Sequence, residues 1–164
     1  MTEENTRILK EIKEQLSPGN SVVSGDLWKK YYPALIDAGT GIIEDTAKMR
    51  ETIYPIRIHL IYLRDKKRME DLDNDYNELC SQYGLFFDAT MRLANMVFTE
   101  GISGGQHLQY LLDHSSQAMD HITTLFSKKS TEYRHCQTLF IALVATFIAV
   151  VSLTITAGTL LLRA

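Results

Sequence analysis

Residues 97–108 read VFTEGISGGQHL (Val97 through Leu108) and hold three of the chain's nine glycines within five positions. Whether this stretch is a working loop or a junction between helices decides how the rest of the chain folds. Upstream, Ile58, Tyr62, Asp65, Met69, Leu72, Tyr76, Leu79, Tyr83, Phe86, Thr90, Leu93 and Val97 recur at alternating intervals of four and three. That is the heptad rhythm, broken in chemistry at Asp65 and Thr90. Downstream, Leu108, Leu111, Leu112, Ser115, Ala118, Met119, Ile122, Leu125 and Phe126 form a second, broader apolar face. Gly101 suits the left-handed position that ends many helices. Ser103, followed three residues later by Gln106, fits a capping box for the next helix. Helix stop, turn and helix start therefore account for Gly101, Ser103, Gly104, Gly105 and Gln106. The junction predicts two antiparallel helices.

Further upstream the pattern repeats. Trp28, Tyr32, Leu35, Gly39, Ile42, Thr46, Met49 and Ile53 again alternate by four and three, with Gly39 and Thr46 as weak members and Pro33 able to kink the first turns. Pro55 disfavours helical geometry at Tyr54 and sets a boundary. Residues 5–16 carry Ile8, Leu9, Ile12 and Leu16 on one face and stop at Ser17-Pro18-Gly19-Asn20. Gly84 is a point where the longest helix can divide, since glycine costs about 1 kcal/mol against alanine inside a helix. The expectation is an all-α, elongated, antiparallel three- to four-helix coiled-coil-like bundle. Helices over 26–54, 56–99 and 106–137 would be flanked by one over 5–16.

Beyond the third face, residues 138–162 read TLFIALVATFIAVVSLTITAGTLLL without a charge. A helix of that length exceeds the ~30 Å hydrocarbon thickness of a bilayer. Being apolar or small all round, it does not fit a core helix with one buried face. The expected organisation is a bundle over 1–137, a single transmembrane helix over 138–162 and a tail of Arg163 and Ala164, a tail-anchored arrangement. Lys128, Lys129 and Arg134 precede the span, and by the positive-inside tendency they put 1–137 on the cytoplasmic side of an intracellular membrane. The N-terminal MTEENTRILKEIKEQ has no apolar signal core. Within the span, Ala145, Ala149, Ser152, Thr156 and Thr159 are small residues spaced to align along one side. They are candidates for close packing against another helix.

Phe98-Thr99-Glu100-Gly101-Ile102-Ser103-Gly104-Gly105 resembles the first homology motif of the B-cell-lymphoma-type apoptosis regulators, helical proteins with a C-terminal anchor. The resemblance implies a cell-death regulator or membrane-permeabilising protein. It spans about one turn of helix, and Ser103-Gly104-Gly105-Gln106 lacks the Trp and the partner-binding Arg of that family's Asn-Trp-Gly-Arg run. Roughly thirty residues separate Gly105 from the span, too few for the family's remaining helices at ~1.5 Å per residue. The turn reading is preferred, with the cell-death regulator as the alternative.

Little else carries chemistry. Asp71-Leu72-Asp73-Asn74-Asp75 begins like a calcium loop, but Tyr76 and Gln82 stand where that loop needs Gly and Glu. It reads as an acidic helix face. Arg64-Asp65-Lys66-Lys67-Arg68 is a basic band, with Lys66–Glu70 and Lys67–Asp71 pairs worth about 0.2–0.5 kcal/mol each. His107, His114 and His121 recur every seven residues, ~10.5 Å apart on a helix and too far to share a metal without other ligands. They flank the apolar face as polar boundary residues, with His135 on the same phase. Cys80 and Cys136 are too few for a disulfide framework and read as packing residues, Cys136 also as a palmitoylation candidate. The formal net charge of −3 gives no reason to expect nucleic-acid binding. No nucleophile–base set, phosphate loop or zinc spacing is present in the sequence, so neither a cofactor nor an enzymatic activity is expected. The expected partners are the lipid bilayer and another protein, or further copies of the chain, engaged through bundle and span. The expected role is a tether, adaptor or accessory subunit.

Overall fold

The structure, a computed structural model, describes residues 3–15, 25–59, 65–100 and 105–161. These form four helices: α1 Glu3–Gln15, α2 Gly25–Ile53, α3 Lys66–Glu100 and α4 Gly105–Leu161. Among the described residues there is no strand.

The first helix is short and amphipathic. Glu3 and Glu4 lie in its first turn and Lys13 in its last, the arrangement its dipole favours. Thirteen residues make a marginal helix in isolation, so packing must hold it. Leu9 and Ile12 are fully buried. Lys13 pairs with Asp88 of α3 at 3.0 Å, and Lys30 of α2 reaches Glu11 at 2.6 Å. The Tyr31 hydroxyl lies 3.1 Å from Glu11 Oε1 and 2.9 Å from Gln15 Oε1 and donates its single proton to one or the other. Burial, reinforced by Glu11, pushes Tyr31 up to about 12 from its usual value near 10.

Contacts fix the directions. Glu11 meets Lys30, while Asn5 shares a groove with Asp37, Thr40 and Glu44, so α1 and α2 run oppositely. Met49 and Thr52 face Leu72 and Leu79, whereas Gly39 lies against Phe86, so α2 and α3 are antiparallel. Tyr76 donates to Thr123 Oγ1 at 3.0 Å and stacks on Phe126 with ring centroids 4.1 Å apart, while Phe86 and Leu111 both approach Gly39. Thus α3 and α4 are antiparallel and α2 runs parallel to α4. Helices α2 and α3 touch each other and both α1 and α4, while α1 makes no contact with α4.

One apolar cluster joins all four helices. Leu35, Gly39, Ile42, Thr46, Met49 and Ile53 of α2 are buried, including both weak members of its seam. In α3, Met69, Leu72, Leu79, Phe86, Thr90 and Leu93 are buried. In α4, Leu108, Leu111, Leu112, Ser115, Met119 and Ile122 are buried. Each full burial of a Leu, Ile or Phe contributes about 1.5–3 kcal/mol, so the seam positions dominate the cohesion of the chain.

Two expectations about helix limits resolve. Helix α3 is continuous through Gly84, and α2 through Pro33. The helix expected from residue 56, however, begins only at Lys66. Residues 56–59 are not helical, although Ile56 is buried and Ile58 half-buried. The reason is a clasp. Asp65, 6% exposed, accepts from the His59 backbone N–H at 2.8 Å and lies 3.2 Å from His59 Nδ1. Its own carbonyl starts the ladder of α3 by accepting from Met69 N–H at 2.9 Å. Tyr62, another seam member, falls outside the described residues.

Candidate functional site

Helix α4 is 57 residues long, or ~85 Å at the standard rise, and has two unlike halves. Its first half is built into the core through Ile122. From Leu139 onward large apolar side chains face outward on every side, among them Leu143, Phe147, Ile148, Leu153 and Ile155, the last two 72% and 62% exposed. This is the one segment among the described residues long and apolar enough to cross a membrane, and none of it is buried within the chain. A core helix of a soluble domain would be covered, so the exposed apolar surface needs a non-aqueous environment.

Ala145, Ala149, Ser152, Thr156 and Thr159 all lie on this exposed segment. Thr156 donates to Ser152 O and Thr159 to Thr156 O, each at 2.8 Å. Thr146 and Thr154, off the stripe, do the same to Ala142 O and Val151 O. The helix thus satisfies these hydroxyls on its own backbone, which lowers the cost of placing them in lipid. The two threonines of the stripe, Thr156 and Thr159, thus have their hydroxyl protons engaged within the helix.

The cations that precede the apolar run differ from one another. Lys129 is half-buried and held by Glu132 at 2.8 Å, whereas Lys128 and Arg134 are exposed. Arg134 lines a cavity of about 260 Å3 with Ser130, Tyr133 and Gln137 of α4 and Lys66, Met69, Glu70 and Asp73 of α3. The basic start of α3 and the basic residues before the apolar run, far apart in sequence, therefore share one level. Lys66 is also 3.7 Å from Glu70, an exposed and weak pair.

At the other end of the α3–α4 pair, α3 ends at Glu100 and α4 opens at Gly105, which is buried, followed by exposed Gln106. A helix boundary falls where the sequence places it. Gly101, Ser103 and Gly104 lie outside the described residues, and with them the Ser103 half of the capping box and the centre of the motif resembling the apoptosis regulators. His107, His114 and His121 are exposed on α4. His107 Nδ1 lies 2.8 Å from the Tyr32 hydroxyl, and His114 stacks on Tyr110. His121 lines a groove with Ile43, Thr46 and Arg50. Each sits at the border of the apolar face. Asp71, Asp73 and Asp75 are exposed on regular helix, which is not the loop a calcium ion requires. Cys80 and Cys136 are free thiols, both half-buried. Among the described residues no three His, Cys, Asp or Glu side chains converge on a point that could hold a metal.

Sequence reasoning treated the Arg64–Arg68 band and the juxtamembrane cations as separate features. A signal for their meeting was present: pairing residues equally distant from the turn at 101–104 sets Lys66 opposite the start of the span. Comparison of the chain with protein-family models, curated proteins and solved structures returned no match.

Proposed function

We propose that this protein is a membrane-anchored, coiled-coil-like helical bundle that binds another protein, as a tether, adaptor or accessory subunit of a membrane complex. Residues 138–162 are its single span and 1–137 its cytoplasmic part. The observation that carries this reading is the continuity of α4. One uninterrupted helix is core on its first half and unburied apolar surface on its second, so the packed helices are coupled rigidly to whatever surrounds the span. The excess of Lys128, Lys129 and Arg134 before the apolar run supports the cytoplasmic assignment.

The stripe at Ala145, Ala149, Ser152, Thr156 and Thr159 is the proposed contact in the membrane, since small side chains let another helix approach closely. Replacing Ala149 and Ser152 by Leu fills that side without changing hydrophobic length. The expected result is unchanged retention in carbonate-washed membranes, with co-purification and crosslinking through the span reduced severalfold. Unchanged crosslinking would remove the stripe as an interface.

A further inference from the structure

The start of α3 breaks a local rule of helix stability. Its first turn carries Lys66, Lys67 and Arg68 and no acidic residue, although the amino end of a helix dipole repels cations. Asp65 precedes them, but it is buried and engaged with His59. Three cations held where the helix disfavours them point to a compensating interaction elsewhere.

Their position supplies one. Lys66 lines the same cavity as Arg134 and Gln137, immediately before the apolar run at 138. Four residues of helix put Arg134 ~6 Å from the start of that run, within the headgroup layer of a bilayer. Lys128 sits farther back, ~15 Å away, and Arg57 lies on the connector leading towards α3. All of Arg57, Lys66, Lys67, Arg68, Lys128 and Arg134 are exposed. Of the nearby carboxylates, Glu132 is held by Lys129, Asp65 by His59 and Glu70 weakly by Lys66, while Asp73 lines the cavity with Lys66 and Arg134. Charge along α3 runs from Lys66, Lys67 and Arg68 nearest the span to Asp71, Asp73 and Asp75 farther along the helix. The whole chain has a formal net charge of −3, so this positive end is a local concentration and not a reflection of composition.

We infer that this end of the molecule, centred on Lys66, Lys67, Arg68 and Arg134, docks on the headgroups of anionic membrane lipids. The inference rests on the reading of 138–162 as a span. Negative lipid attracts basic residues held near its surface and loses that attraction within a Debye length. Docking would seat the helices on the bilayer, with the acidic band of α3 turned away from it.

The test uses the full chain in sealed vesicles of phosphatidylcholine alone or mixed with phosphatidylglycerol. A water-soluble amine-acylating ester is added, and modification of each lysine is followed by mass spectrometry. Acylation of Lys66 and Lys67 should be about fivefold slower in the anionic vesicles and recover in molar salt. Lys10 and Lys29, exposed on α1 and α2 at the far end, should be unaffected. The double variant R68Q/R134Q, checked for unchanged helicity, should lose at least half of the protection at Lys66. Equal rates in both vesicle types, or equal slowing at all four lysines, would overturn the inference. So would protection that appears only in native membranes, which would assign the surface to an acidic protein. Release of the wild-type chain by carbonate would instead overturn the membrane reading itself.

Discussion

Two polar residues interrupt the apolar rhythm of α3, and their surroundings give them opposite energetic signs. Asp65 is satisfied by the His59 amide. Thr90 is fully buried, and its hydroxyl has no hydrogen-bond partner among the described residues. Thr46 and Ser115, equally buried on α2 and α4, instead bond Ile43 O at 2.7 Å and Leu112 O at 3.0 Å. A buried hydroxyl without a partner costs about 1–3 kcal/mol, so Thr90→Val, of nearly the same shape, should stabilise the fold by about 1 kcal/mol. Denaturant titration checks this, and a loss of stability would mean the hydroxyl has a partner. The glycines make a second contrast. A Cβ at Gly39 would stand 2.9 Å from Phe86 Cζ and 3.6 Å from Leu111 Cβ, where three helices meet. Phe86 is fully buried and cannot swing into solvent. Gly39→Val should therefore cost about 1–3 kcal/mol through overpacking. Gly84, with nothing within 4 Å, should gain about 1 kcal/mol as Ala. Opposite shifts of the unfolding midpoint are the expected readout. Gly39 was visible in the sequence only as a weak heptad member, because its value lies in what two distant helices place beside it.

At the scale of elements, periodicity located nearly every buried face. It counted Gly39, Thr46, Thr90 and Ser115 as seam positions despite their chemistry, and all four are buried. It failed at 56–59, which the four-three spacing through Ile58 assigns to a helix but which are not helical. Ile56 and Ile58 also alternate with Arg57 and His59, a period of two that a connector with one face inward displays equally well. Spacing could not choose between the two. The choice was made by Asp65, whose carboxylate holds His59 and whose carbonyl opens α3, contacts that spacing alone does not reveal. Asp65→Ala should therefore cost about 1.5–3 kcal/mol, as expected for a hydrogen bond to a charged group, and Asp65→Asn less, since an acceptor remains. Hydrogen exchange at the His59 and Met69 amides should accelerate in the alanine variant while the amides at the centre of α2 are slowed as before. Equal acceleration everywhere would mean that the clasp is part of the global fold and not a local closure.

The described residues divide into a packed part and an apolar helical segment of which nothing is buried. Among the described residues every fully buried large side chain lies at or before Ile122, and the last residue packed against the core cluster is Tyr133. Among them the apolar segment contributes no member to that cluster; Phe140 is half-buried and none of the segment is fully buried. A chain ended after Gln137 should thus keep its four packed helices, because no member of the core cluster among the described residues is removed. The expected outcome is a monodisperse soluble protein with predominantly helical circular dichroism. Its unfolding free energy from denaturant titration should lie within about 0.5 kcal/mol of that of the full chain measured in mild detergent, the range expected of changes that touch no core contact. The full chain should instead sediment with membranes after a carbonate wash. A shortened chain that was coil, or that aggregated without its span, would show that the helices need the membrane or a partner to pack, and the seam residues alone would not suffice.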